Sequence, residues 1–129
     1  MNVIFTNGCF DIIHPGHIDY LKKSRELGDK LVVGLNSDES MKRIKRESFH
    51  NEKDRKIVLE AIRYVDEVII FEEDTPLELI KKVRPWMITK GGDYEPSWVV
   101  GNGLALIKIF ETVPDQSSTK ILEWINDKT

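Results

Sequence analysis

The sequence predicts an α/β domain: a Rossmann-like five-stranded parallel sheet with helices on both faces. Three observations carry this. Short apolar runs alternate with amphipathic stretches of helical length; these stretches open on capping residues or proline and close at glycine or before proline; and two glycines bracket the first strand-to-helix junction. The chain has 129 residues, enough for a single domain over 1–129 whose core needs neither a disulfide nor a structural metal.

The predicted strands are 2–6, 31–36, 67–71, 86–90 and 105–110. The first helix is predicted to start at Pro15, where a missing N–H costs nothing. It carries Ile18, Leu21 and Leu27 on one face and stops at Gly28. A second begins near Asn51 and places Ile57, Leu59, Ile62 and Val65 before Asp66 opens the next strand. A third is predicted to be capped by Thr75, with Pro76 in its first turn and Glu78 as the capping-box carboxylate, and to end before Pro85. The last, about 118–127, follows Ser117, Ser118 and Thr119, all good N-caps. The polar, basic stretch 42–51 has no clean period and reads as a mobile loop.

Composition excludes several classes. With 19 Lys+Arg against 22 Asp+Glu the net charge is −3, which argues against an extended nucleic-acid surface. The single cysteine, Cys9, cannot form an intrachain disulfide and points to a reducing compartment. No apolar run reaches the ~20 residues of a membrane span, and the N-terminus lacks a secretory pattern. A cytoplasmic protein with no membrane or nucleic-acid partner is expected.

The chemistry-bearing segment is Thr6-Asn7-Gly8-Cys9-Phe10-Asp11-Ile12-Ile13-His14-Pro15-Gly16-His17. It joins the first strand to the first helix, the place where parallel α/β sheets bind ligands. Gly8 permits a sharp turn, Gly16 permits close approach to the helix, and the free N–H groups of the first turn favour a phosphate. His14 and His17 stand three apart at that terminus. Metal ligation would call for a further ligand at helical spacing, and either histidine alone reads as a cap or core residue. As a pair, they make sense as imidazole donors to an anion. Neither a P-loop nor a dinucleotide fingerprint is present.

The string from Asn7 to His17, with its His14-Pro15-Gly16-His17, resembles the first motif of the nucleotidyltransferase superfamily that contains the cytidylyltransferases. Leu27 to Gly34 with Asn36-Ser37-Asp38, Asp54-Arg55, Ala61 to Val68, and Ser117-Ser118-Thr119 resemble further elements of that family. The resemblance implies that an acceptor phosphate attacks the α-phosphorus of a nucleoside triphosphate and that pyrophosphate leaves without a covalent enzyme intermediate. It implies transition-state contacts from His14 and His17. Lys45 neutralises phosphate charge on this reading, and Lys42 does the same at the acceptor. The backbone from Thr6 through Asn7, Gly8 and Cys9 to Phe10 cradles nucleotide phosphates, and Ser117 to Thr119 hold the β- and γ-phosphates. Arg55 and Arg63 are implied phosphate or acceptor contacts, with surface ion pairing to Glu52 or Asp66 as the alternative. Asp11 either meets the acceptor or bonds its own turn. Cys9 reads as a small packing side chain. Mg2+ is expected with the triphosphate and a homodimer is expected, with Trp86 or Trp98 at the interface or in the core.

Two branches compete. Phe71 to Pro76 and Lys90-Gly91-Gly92-Asp93-Tyr94 resemble the branch that adenylylates heptose 1-phosphate, in which this second loop, with Lys90, Gly92 and Asp93, lies near the nucleotide. Ile62 to Val68 and the length resemble the branch that makes CDP-glycerol from CTP. Before Ser117 the chain reads Thr112-Val113-Pro114-Asp115-Gln116, without the arginine of the CTP-using members, which favours ATP and a phosphorylated sugar over CTP and a polyol phosphate. The region after Tyr94 is several residues shorter than in the adenylyl branch. A catalytically silent nucleotide-binding module is the remaining alternative, and the presence of both histidines speaks against it.

Overall fold

The computed structural model describes residues 1–92, 95–111 and 125–126. Five parallel strands form one sheet: β1 (Val3–Gly8), β2 (Lys30–Asn36), β3 (Glu67–Phe71), β4 (Met87–Gly91) and β5 (Leu106–Phe110), in the order β3-β2-β1-β4-β5. β3 lies where the sequence predicts it. The others differ by one or two residues at their ends, the usual uncertainty of element boundaries. Chain direction across the sheet reverses between β1 and β4, which makes the space beyond their C-terminal ends the topological switch point.

Helices α1 (Pro15–Glu26) and α3 (Glu52–Glu60) cover one face. Their Leu21 and Leu59 pack with Ile4, Leu31, Val33, Leu35 and Val68. Helix α4 (Leu77–Val83) covers part of the other, where Leu79 and Ile80 join Phe5, Phe71, Ile88 and Val99. Adjacent Ile4 and Phe5 are both fully buried because β1 is covered on both sides. Gly28 sits where a Cβ would lie 2.5 Å from the Asn2 carbonyl oxygen, so the return from α1 to β2 requires glycine.

Three predicted features are corrected. The stretch 42–51 is not all loop: α2 (Asp38–Arg43) includes Lys42, capped by the Ser37 hydroxyl, which accepts from Ser40 N at 3.0 Å. Six residues are too few to show a period, although Ser37 with Asp38, Glu39 and the basic Lys42 and Arg43 spells a capped, dipole-matched turn. The third helix starts one residue later than expected. Pro76 is its N-cap, and Thr75 Oγ1 accepts from Leu77 N only at 3.4 Å. It ends at Arg84, which takes the left-handed region (φ 53) and donates its N–H to the Ile80 carbonyl at 2.9 Å, closing the last turn before Pro85. Trp86 and Trp98 are exposed, at 41% and 71%, so neither belongs to the core. The predicted last helix lies outside the described residues apart from a helical Ile125–Asn126.

Candidate active site

β1 and β4 pair only at Ile4↔Met87 and Phe5↔Ile88, although β1 runs on to Gly8 and β4 to Gly91. The ladder therefore ends at Phe5, and beyond the fully buried Thr6 and Thr89 the strand ends Asn7-Gly8 and Lys90-Gly91 border a crevice. Thr6 is fully buried, with Oγ1 turned to Tyr20 OH (2.6 Å) and the Thr89 carbonyl (3.1 Å), which corrects its predicted nucleotide contact: it presents no surface to a ligand and instead fixes the end of β1. Beyond Gly8 the chain turns sharply. Phe10 takes φ +44, and its ring packs 3.0 Å from where a Gly8 Cβ would stand.

The turn delivers both histidines to the start of α1. His14 is the N-cap, in extended conformation. Its Nδ1 accepts from Gly16 N at 3.1 Å, and His17 Nδ1 accepts from the His14 N–H at 3.2 Å. The capping and anion-binding readings of the pair are thus compatible. A ring nitrogen that accepts carries no proton, so each imidazole is neutral and bears its hydrogen on Nε2. The rings lie 4.0 Å apart, and Phe10 flanks His17 at 5.9 Å. Burial, then the neighbouring His14, push His17 down to about 4, and burial also lowers His14. The result is two adjacent neutral N–H donors at the positive end of a helix, suited to an anion whose charge grows.

Across the crevice, burial pushes the Lys90 ammonium down while nearby Cys9 raises it. Burial pushes the Cys9 thiol up against the pull of Arg46, Arg55 and Lys90, so it stays a thiol rather than a nucleophilic thiolate. Gly92, at φ 108, donates its N–H to the Phe110 carbonyl at 2.8 Å.

Several predicted ligand-binding residues have other work. Arg55 is fully buried on α3. Its Nη1 donates to the Cys9 and Asn36 carbonyls, each at 2.8 Å, its Nη2 to Asp38 at 2.9 Å and its Nε to the His50 carbonyl at 3.2 Å. That network corrects both the acceptor-contact role and the Glu52 pairing: Arg55 clasps the signature turn, the end of β2 and the loop before α3. Asp11 does not bond its own turn; its carboxylate accepts from Phe49 N (2.6 Å) and His50 N (2.9 Å). Arg63 is corrected as well. It follows α3 and precedes β3, at the N-terminal ends of the strands opposite the crevice, with its guanidinium 5.8 Å over Tyr64, while Asp66 pairs with Arg25. Lys42 is exposed and 3.4 Å from Glu39. Lys45 is exposed at φ 58, immediately after α2. Asp93, Ser117, Ser118 and Thr119 lie outside the described residues.

Arg46 belongs to the basic cluster 42–46 that the sequence places around a triphosphate, and its charge acts on Cys9; sequence reasoning missed the Asp11 clamp on Phe49 and His50. Contacts spanning 38 and 39 residues leave no local signal.

The cytidylyltransferase-like family model matches residues 5–123, from β1 through the site and beyond. The chain belongs to this cytidylyltransferase-like family. It is a nucleotidyltransferase by that membership. Relatives include proteins named bifunctional protein HldE from Campylobacter curvus, 50% identical over 97% of this chain, and Campylobacter jejuni, 50% identical over 98%. The chain spans just over a quarter of their length (27% and 28%). A crystal structure described as the lipopolysaccharide core biosynthesis protein from Thermoplasma volcanium superposes with a TM-score of 0.75 and 28% identity, over 88% of this chain and 97% of that one. Among the described residues no helix is long and apolar enough to cross a membrane.

Proposed function

We propose that this chain transfers an adenylyl group from ATP to the phosphate of a sugar 1-phosphate, with a heptose 1-phosphate as the preferred acceptor. The observation that carries the reading is the histidine pair at the switch-point crevice, with both Nδ1 atoms engaged and both Nε2–H groups left as donors. An acceptor phosphate oxygen bonds to the α-phosphorus as the bond from that phosphorus to the β-bridging oxygen breaks, and its electron pair leaves with pyrophosphate. A phosphate monoester, with a second pKa of about 6, is already an anionic nucleophile at neutral pH and needs no general base. Two histidines whose acceptor nitrogens are occupied are therefore suited to this reaction as donors, not bases. Their N–H groups meet the charge that develops on the transferring and leaving phosphates. Lys90 and Arg46, both acting electrostatically on Cys9, add positive charge beside the turn, and Lys45 adds it from the loop after α2.

Among the described residues no three His, Cys, Asp or Glu side chains are grouped to hold a metal ion, and Asp11 is engaged by two backbone N–H groups. Mg2+ would therefore arrive bound to the triphosphate, as part of the substrate. The sugar-phosphate acceptor is supported by the relatives and by the loop Lys90-Gly91-Gly92, and ATP by the absence of the CTP-type arginine from the sequence 112–116.

The test is pyrophosphate release with each of the four triphosphates, magnesium, and heptose 1-phosphate or glycerol 3-phosphate. ATP with the sugar phosphate is expected to react. Turnover with CTP and glycerol 3-phosphate alone would overturn the assignment. Removing one transition-state donor by His17→Ala should lower kcat by about a hundredfold or more. Unchanged turnover would reduce His17 to a helix cap.

A further inference from the structure

We propose that Phe49 forms the sugar-facing wall of the acceptor site, its ring lying against the apolar face of the sugar that carries the reacting phosphate. The inference rests on the sugar-phosphate reading above and adds a specificity residue to it.

Phe49 is 80% exposed. A lone exposed aromatic needs no explanation in itself. What sets this one apart is how firmly its place is fixed. The Asp11 carboxylate accepts the Phe49 N–H at 2.6 Å and the His50 N–H at 2.9 Å, and hydrogen bonds to a carboxylate are stronger than neutral ones. The His50 carbonyl accepts from Arg55 Nε, and the same guanidinium holds the Cys9 carbonyl. The His50 ring stands edge-on to the phenyl ring, 4.8 Å away at 85°. The segment carrying Phe49 is therefore joined to the signature turn at Cys9 and Asp11, a few residues before His14. The chain keeps a large apolar ring in water on a pre-organised support at the rim of its site.

Topology selects the substrate. The switch-point crevice between β1 and β4 suits the nucleotide. Phe49 lies on the other side of the signature turn, on the segment that follows β2 and α2. Arg46, three residues earlier, acts electrostatically on Cys9 and so brings positive charge to the same rim. A cation for a phosphate with an aromatic face beyond it is the arrangement a sugar phosphate would use. Holding the backbone of this segment in place beforehand also lowers the ordering cost of binding.

The experiment measures the KM for ATP and for the sugar 1-phosphate separately in wild type, Phe49→Ala and Phe49→Tyr. Phe49→Ala should raise the sugar-phosphate KM roughly tenfold and leave the ATP KM within about twofold, and Phe49→Tyr should restore it. A rise in the ATP KM alone would assign the ring to the nucleobase and overturn the proposal. Unchanged constants would overturn it too, as would equal loss on both substrates with a changed elution volume, the mark of a subunit contact. If wild type releases no pyrophosphate with any sugar 1-phosphate, the acceptor reading itself fails, and this is seen before any variant is made.

Discussion

At Lys45 the chain holds a bulky side chain left-handed (φ 58), where glycine is usual. The hydrogen bonds explain the conformation: Lys45 N donates to the Lys42 carbonyl at 3.1 Å and Arg46 N to the Met41 carbonyl at 2.8 Å, the pattern that closes a helix over a residue in this region. A non-glycine residue there costs about 1 kcal/mol. Nothing in the turn repays that cost, whereas a charge delivered to a phosphate would. Lys45→Gly is therefore expected to raise stability by up to about 1 kcal/mol in urea unfolding while lowering kcat/KM at least about tenfold, and Lys45→Ala to lose activity without the gain. A Lys45→Gly protein as active as wild type would remove Lys45 from the site. The histidines show what is legible at this scale. Their spacing and helix-terminal position can be read from the sequence. Which nitrogen accepts cannot, because that depends on the rotation of each ring against backbone N–H groups that exist only once the turn has formed.

Between elements, the decisive contacts join segments far apart in the chain. Alternating apolar runs made the strands legible, and Pro15 and Gly28 bounded α1 to within two residues, because those signals are local. Arg55 reads in the sequence as a phosphate contact or a surface ion-pairing residue, and only the packing of three segments around it makes the position interior. Its four acceptors belong to Cys9, Asn36, Asp38 and His50, and one side chain thereby positions the signature turn against the loop before α3. Arg55→Met is expected to cost about 3 kcal/mol or more, since it leaves Asp38 without its cation and three carbonyls without donors. Arg55→Lys should recover little, because one ammonium cannot span four acceptors in the plane of the fork. The exposed pair Arg43–Asp74 supplies the control: Arg43→Met should cost no more than about 1 kcal/mol. Urea unfolding measures all three, and equal losses at Arg55 and Arg43 would contradict the clasp.

At the scale of the whole molecule, length and alternation predict the sheet and its parallel sense, but not which side of β1 each strand joins. That order, β3-β2-β1-β4-β5, is set by which crossovers fold forward and which fold back, and it decides that the switch point falls between β1 and β4, beside the turn that carries His14. The site in turn acts on the stability of the whole fold. His17 is held near 4 rather than its ordinary 6.5, and His14 is lowered too, because both are kept neutral by burial while they cap α1. The unfolded chain takes up these protons as the pH falls through about 6.5, and the folded chain does not. Between pH 6.5 and about 4 the unfolded state therefore binds more protons, and stability falls as the medium is acidified; above 6.5 this contribution is constant, and below 4 that of His17 levels off. His17→Gln isolates the effect, since glutamine at this position can still accept the His14 N–H but cannot titrate. Carboxylates are common to both proteins, so the stability difference, wild type minus variant, should be constant from pH 8 to 7 and decline steadily towards pH 5 in urea unfolding. A difference that does not change with pH would mean that His17 titrates alike in the folded and unfolded chains, and that its Nδ1 is not held as an acceptor in the native turn.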